Sequence, residues 1–234
     1  MRKSEAGFSF LELAVAMFIL TLLLGSILVP LATQVEQRQI SETQRIMDQA
    51  RDALLGHAVA FGYLPCPDTD NDGAENVAAT GQCASISANN IAHGNLPWQT
   101  LGLAGSDAWG NRIRYAISES YGRRLPSSTF SLGTLTANVR VCQASGCTSD
   151  LTSSAVAVLI SHGKNGYGAT NSTGGTVYAA PTSNDELENT DADRDFVSRV
   201  ATATGAAAGE FDDIVVWLPL YILFNRMVTV GRLP

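Results

Sequence analysis

Apolar and polar positions are spread very unevenly along the chain. From Phe8 to Thr33 (FSFLELAVAMFILTLLLGSILVPLAT) one charged residue, Glu12, interrupts an otherwise uncharged run. A helix rises about 1.5 Å per residue, so roughly twenty apolar residues span a hydrocarbon core of about 30 Å. This run is long enough to span a membrane as a helix. From Gln34 to Ala60 the pattern turns amphipathic. Val35, Ile40, Ile46, Met47, Ala50, Leu54, Ala58 and Phe61 recur near the 3.6-residue period, and Glu36, Arg38, Glu42, Arg45, Asp48, Arg51 and Asp52 fall on the other side. Together the two stretches read as one long helix, stopped by Gly62 and by Leu64-Pro65-Cys66-Pro67. His57 on that helix is expected to be a half-buried packing residue.

Beyond the helix, short β-branched runs sit between segments rich in Gly, Asn, Asp and Ser. Strands are predicted over Arg112–Ser118, Asn138–Cys142, Ala155–Ser161 and Asp213–Leu218, with a short helix over Tyr221–Val230 stopped by Gly231. A long helix followed by a small antiparallel sheet is an α+β arrangement. The organisation expected is a leader over residues 1–7, an apolar helix over 8–33, its amphipathic continuation over 34–62, and a globular head over 63–234.

Composition narrows the function. Charged residues are 16% of the 234, and the net charge of −7 with a pI near 4.9 argues against a nucleic-acid-binding face. Arg2 and Lys3 precede the apolar run, so the positive-inside rule leaves the N-terminus in the cytoplasm and exports the rest. A cleaved secretory signal would have a shorter apolar region and a small-residue cleavage site after it, and neither is found before Gln34. An ordinary anchor leaves Glu12 unexplained. A carboxylate in the bilayer costs a few kcal/mol and needs a partner, which the rest of the span cannot provide.

Gly7-Phe8-Ser9-Phe10-Leu11-Glu12-Leu13 resembles the N-terminal signal of type IV prepilins and type II secretion pseudopilins. The resemblance implies cleavage between Gly7 and Phe8 by a membrane-embedded prepilin peptidase, N-methylation of Phe8, and assembly into a filament. It also implies that Glu12 pairs with the Phe8 ammonium of a neighbouring subunit. Pro30 stands where pilin helices often bend. Three phrases extend the likeness to pseudopilin heads: Asp107-Ala108-Trp109-Gly110-Asn111 followed by Tyr115, Ser161-His162-Gly163-Lys164-Asn165-Gly166, and Asp213-Ile214 to Trp217. Core packing is the simple account of Trp109 and Trp217. Residues 63–105 carry no such phrase, and the chain is longer than that family between the second and third. The expected partners are other pilin or pseudopilin subunits, the prepilin peptidase/methyltransferase and an inner-membrane assembly platform. The expected location is a single-pass inner-membrane protein with its head in the periplasm, then a pilus or secretion pseudopilus.

In an oxidising compartment the four cysteines should pair. Local pairing, Cys66 with Cys83 and Cys142 with Cys147, is the simplest choice, and a longer-range connectivity stays open. Zinc is disfavoured by the lone C-x4-C spacing without a nearby histidine. Asp68-Thr69-Asp70-Asn71-Asp72-Gly73 matches the opening half of a calcium loop, where alternate carboxylates converge and Gly permits the turn. Its twelfth position is Ala79, so Glu75 is the candidate for a further oxygen. A second acidic run, Asp185 to Asp195, holds six carboxylates in eleven residues, with Asp191, Asp193 and Asp195 as candidate ligands. Major pseudopilins bind calcium in the loop before their closing strand, which agrees with this location. Calcium is therefore the one expected cofactor, with no organic cofactor. No hydrolase elbow, zinc-protease, P-loop or dinucleotide fingerprint is present in the sequence, and no enzymatic activity is expected. The alternative reading is a membrane-anchored, calcium-dependent binding module that does not polymerise.

Overall fold

A computed structural model of the chain describes residues 9–122, 137–173 and 175–233; within the first helix the side chains at 24 and 26–30 are outside that description. The chain divides into two compact units, residues up to Ser41 and residues Glu42–Pro234. Helix α1 runs from Phe10 to Phe61.

In the first unit every described large apolar side chain from Phe10 to Leu23 is exposed, including Phe10 at 88%, Leu11 at 72% and Phe18 at 66%. Counting only described residues, no helix is long and apolar enough to cross a membrane; positions 24 and 26–30, inside the apolar run, fall outside that count.

The second unit is the head. It holds β1 (Ile91–Asn95), α2 (Trp98–Leu101), β2 (Arg114–Ser118), β3 (Val139–Cys142), β4 (Asp150–Ser161), α3 (Asn184–Glu188), β5 (Asp195–Val197), β6 (Ile214–Pro219) and α4 (Leu220–Thr229). The sheet is built around β4. Its Ala155–Ser161 half pairs with β6, and Ala157–Ile160 pair with β2 on the opposite edge. Ala155 is shared by β3 and β6, so β3 follows β2 along the same edge. All pairings are antiparallel except β3 with β5, which is parallel. The head is therefore α+β, as expected, but its sheet is mixed at one edge.

Alternation sends the two sides of each strand to different cores. On one side Tyr115, Ile117, Leu159 and Leu218 pack with Met47, Ala50, Leu54 and Ala58 of α1 and with Leu223 and Met227 of α4. On the other, Ile91, Ala116, Val158, Ile160 and Phe196 form a second cluster. The buried α1 positions keep the 3.6-residue spacing of the sequence pattern. Two residues included in that pattern do not follow it: Val35 is 48% and Phe61 58% exposed. Phe61 instead lies beside His57 and Tyr63, and His57 Nδ1 is 3.0 Å from the Tyr63 carbonyl.

The strand expected from Arg112 begins two residues later, because Arg112 is occupied elsewhere. Its N–H bonds the Thr170 carbonyl. Its guanidinium donates to Asn71 Oδ1 (2.8 Å), the Gly105 carbonyl (2.6 Å) and the Ser172 carbonyl (3.1 Å), while lying 3.6 Å above the Trp98 ring. Cys66 is bonded to Cys83 and Cys142 to Cys147, the local pairing. Arg112→Lys keeps the charge but cannot reproduce a planar fork with three acceptors and a stacked face. It is expected to cost about 2 kcal/mol, read as a lower thermal midpoint with secondary structure unchanged.

Candidate functional site

Gly7 and Phe8, the expected processing and methylation residues, lie outside the described residues. Glu12 is described, and it has a local role besides the one expected for it. Ser9 N–H donates to Glu12 Oε2 at 3.0 Å, and Glu12 N–H donates to Ser9 Oγ at 3.2 Å. This reciprocal capping box satisfies two of the donors that a helix start leaves bare. It was legible as S-x-x-E directly before an apolar run.

In the head, the three sequence phrases meet at one end of the sheet. Asp107 closes its own turn: Oδ1 accepts from the N–H groups of Trp109 and Asn111, both at 2.9 Å, and Gly110 takes the positive φ of 85°. Its other oxygen accepts the Ser161 hydroxyl at 2.6 Å, tying the first phrase to the second. Ala108 N–H donates to Thr43 Oγ1, which fastens the same turn to α1 within the head. The second phrase then meets the third. Asn165 N–H donates to Asp212 Oδ2 at 2.9 Å, and His162 Nδ1 lies 3.4 Å from Asp213 Oδ1. Ser161 and His162, adjacent in sequence, thus serve different acids on opposite sides of the sheet. They form no nucleophile–base pair.

The expected calcium residues separate into two groups. The carboxylates of Asp68, Asp70 and Asp72 come close enough to share a cation. Asp68, however, is fully buried and already saturated: Oδ1 accepts from Asp70 and Asn71, and Oδ2 from Gly73. Glu75 stands apart, accepting the Cys66 N–H. In the second run Asp193 and Asp195 are brought together with Glu188 rather than with Asp191, whose carboxylate caps Asp193. Asp195 is already neutralised by the fork of Arg140, at 2.8 and 2.6 Å.

A third acidic group, Glu186, Asp212 and Asp213, was not singled out from sequence. Glu186 is 2% exposed and accepts from Asp212 N–H and from the Asn165 amide. Asp213 accepts from Asn189, yet the buried Oδ1 of Asp212 has no partner. Burial, aided by the neighbouring acids, pushes Glu186 up to about 7 and Asp212 up to about 6. The only signal was the doubled Asp212-Asp213; Glu186 is a residue of the long acidic run that only the fold selects.

The pH dependence follows in sign. These two carboxyls hold protons in the folded chain at pH values where the unfolded chain has lost them. The stability they contribute is complete below their ordinary values of 3.8 and 4.5, and is lost as pH rises through about 6 to 7. With divalent cations chelated, the thermal midpoint of the chain in detergent is expected to fall between about pH 5 and pH 8. Glu186→Gln is expected to flatten that fall. Separately, Asp107→Ala strands the Ser161 hydroxyl and the N–H groups of Asn111, which is buried, and Trp109, which is half-buried. It is expected to cost about 3 kcal/mol, a midpoint lowered by roughly 10 °C, against about 1 kcal/mol for Ser161→Ala.

No curated protein and no solved structure matches the chain. Residues 2–28 do match a known family description, the "Prokaryotic N-terminal methylation motif". Over residues 2–28 the chain therefore carries the signal of type IV pilins and pseudopilins, a signal that implies a structural subunit rather than an enzyme.

Proposed function

We propose that the chain is a prepilin-like structural subunit, cleaved after Gly7, methylated on Phe8, and assembled through its N-terminal helix into a type IV pilus or secretion pseudopilus. One observation carries this reading: the methylation motif at residues 2–28 overlaps a stretch of helix, Phe10 to Leu23, whose described large apolar side chains are exposed on every side. Such a surface is tolerated only in lipid or against other apolar helices. The inner membrane before assembly and a filament core afterwards supply those two environments in turn. The D-x-W-G-N and D-I-x-x-W phrases lean towards a pseudopilin-type head, and the extra head mass leans towards a minor pilin.

Glu12 is the assembly residue in this reading. Once the leader is removed, Phe8 carries a free amine, and a Glu12 inside an apolar helix bundle is stabilised by a neighbouring subunit's amine. Either ion buried alone is costly, so the pair favours one register between helices. The peptidase, the methyltransferase and an inner-membrane platform are the partners this pathway requires.

The head's calcium is best placed at Glu186, Asp212 and Asp213. Oxygen ligands of this kind suit calcium, and Asp212 Oδ1 has a free lone pair and no protein donor. A cation there would relieve three crowded acids and tie α3 to the start of β6. At neutral pH, calcium is expected to raise the thermal midpoint of the chain in detergent relative to chelator, and Glu186→Gln to remove most of that rise. An unchanged midpoint in the native chain would argue against a cation at this place.

Processing and assembly are tested separately. Gly7→Leu is expected to leave the leader attached, seen as an unshifted mass of the chain recovered from its host. Glu12→Ala is expected to be cleaved and methylated normally yet absent from sheared or purified filaments. Incorporation of Glu12→Ala at the native level would remove the register role.

A further inference from the structure

The three acids assigned to calcium stand on separate stretches, and an outer set of contacts holds those stretches together. Arg199 is at its centre. Its Nε donates to Asp185 Oδ2 at 2.6 Å, and Asp185 precedes Glu186 in α3. Its other nitrogens donate to Thr202 Oγ1 (2.8 Å) and to the carbonyls of Ala208 (3.0 Å) and Gly209 (3.3 Å). The guanidinium lies 4.6 Å above the ring of Phe211, the residue before Asp212. One guanidinium, on a side chain 13% exposed, thus clamps the neighbours of both Glu186 and Asp212. Asp213 is reached by a second route. The Asn189 amide donates to Asp213 Oδ2 at 2.7 Å and to the Val197 carbonyl at 3.0 Å, and its Oδ1 accepts the Val197 N–H.

Both routes lead back to the turn closed by Cys142 and Cys147. Ser145 N–H donates to Asp185 Oδ1 at 2.8 Å, so Asp185 is held between this turn and Arg199. The Cys142 carbonyl accepts the N–H of Ser198, the residue before Arg199, at 2.9 Å. Cys142 also pairs with Val197 in the parallel β3–β5 ladder. The turn depends on its cross-link. Cys147 has a φ of 47°, in the left-handed region that a non-glycine residue adopts at a cost, and residues 143, 144 and 146 are exposed. Opening the disulfide removes the covalent limit on the turn, and Ser145 N–H is then held at Asp185 for a smaller fraction of the time.

We propose that the disulfide state of Cys142 and Cys147 sets the cation affinity of the Glu186–Asp212–Asp213 group, with Arg199 as the positioning residue that carries the coupling. This rests on the calcium reading given above. Oxidised, the turn fixes Asp185 and, through Arg199, holds Glu186 and Asp212 at one separation. Reduced to two thiols, it leaves Arg199 clamping an Asp185 that has lost a donor, and the acids are held less closely. Linkage makes the effect reciprocal. The factor that oxidation adds to calcium affinity is the factor that calcium adds to the equilibrium for forming the disulfide. In the export pathway proposed above, the site gains its full affinity only in the oxidising compartment.

The test uses the full, unaltered chain in detergent, equilibrated in glutathione buffers. Two glutathione thiols are oxidised to one glutathione disulfide as Cys142–Cys147 is reduced to two thiols, and each cysteine pair is read by mass spectrometry after alkylation. Relative to chelator, saturating calcium is expected to raise about tenfold the ratio of squared glutathione to glutathione disulfide that half-reduces Cys142–Cys147, a shift of about 30 mV. Cys66–Cys83, which packs in the α1 core, is expected to move less than about twofold. Arg199→Gln is expected to remove most of the calcium-dependent shift. In the variant carrying both Cys142→Ser and Cys147→Ser, half-maximal thermal stabilisation is expected to need about tenfold more calcium. If calcium raises the thermal midpoint of the native chain while neither disulfide shifts, or both shift equally, the coupling is overturned and the calcium site stands. A shift that persists at full size in Arg199→Gln rejects the clamp. No effect of calcium on the midpoint or on either disulfide removes the calcium site and this inference with it.

Discussion

The N-terminal helix imposes a requirement that its own residues do not meet. From Phe10 to Leu23 its described large side chains are apolar and exposed, and burying each such side chain is worth about 1.5–3 kcal/mol. A surface of that size in water would drive aggregation. The part of α1 inside the head has the opposite design: Met47, Ala50, Leu54 and Ala58 are fully buried along one stripe, and its charges lie away from the core. The same helix therefore serves two environments. The methylation motif over residues 2–28 agrees with lipid or other apolar helices as the first of them.

The head is organised by polar ties at the end of its central strand. Asp107, Ser161, His162, Asn165, Asp212 and Asp213 come from three separate stretches, and their hydrogen bonds and the close approach of His162 to Asp213 run from one stretch to the next. Buried networks of this kind are expensive when incomplete. Asp107 completes its share with three donors, whereas Asp212 leaves an oxygen over. That difference separates a turn that holds the fold together from a cluster that asks for something more, a proton or a cation.

Much of the fold was legible because it rests on short-range rules. The 3.6-residue stripe of α1, the β-branched runs of β2, β4 and β6, and the spacing of the cysteines each carry their own signal. The elements not foreseen lack one. β1 reads IAHGN, with a glycine and two polar residues, and is a strand only because β2 lies beside it. β5 has three residues and is fixed by its parallel pairing to β3. β4 begins five residues earlier than its apolar run, through polar positions held by β3. The sites divide in the same way. The Asp68–Asp72 turn could be seen as a pattern, while the Glu186–Asp212–Asp213 group depends on chain segments over twenty residues apart, which no local pattern specifies.

The proposed reading gives Glu12 two roles, a local one and one in assembly, on a single side chain. In the isolated chain its carboxylate caps its own helix through Ser9, an exposed contact of the kind worth about 1 kcal/mol. Transfer into an apolar bundle raises the cost of that charge to several kcal/mol, which one N–H cannot offset. A cationic amine from an adjoining chain can. The cap keeps the residue oriented and the helix start intact, and in the proposed assembly so weak a contact would yield to a stronger partner. A side chain committed to a strong internal salt bridge could not make the exchange that the proposed assembly requires of it.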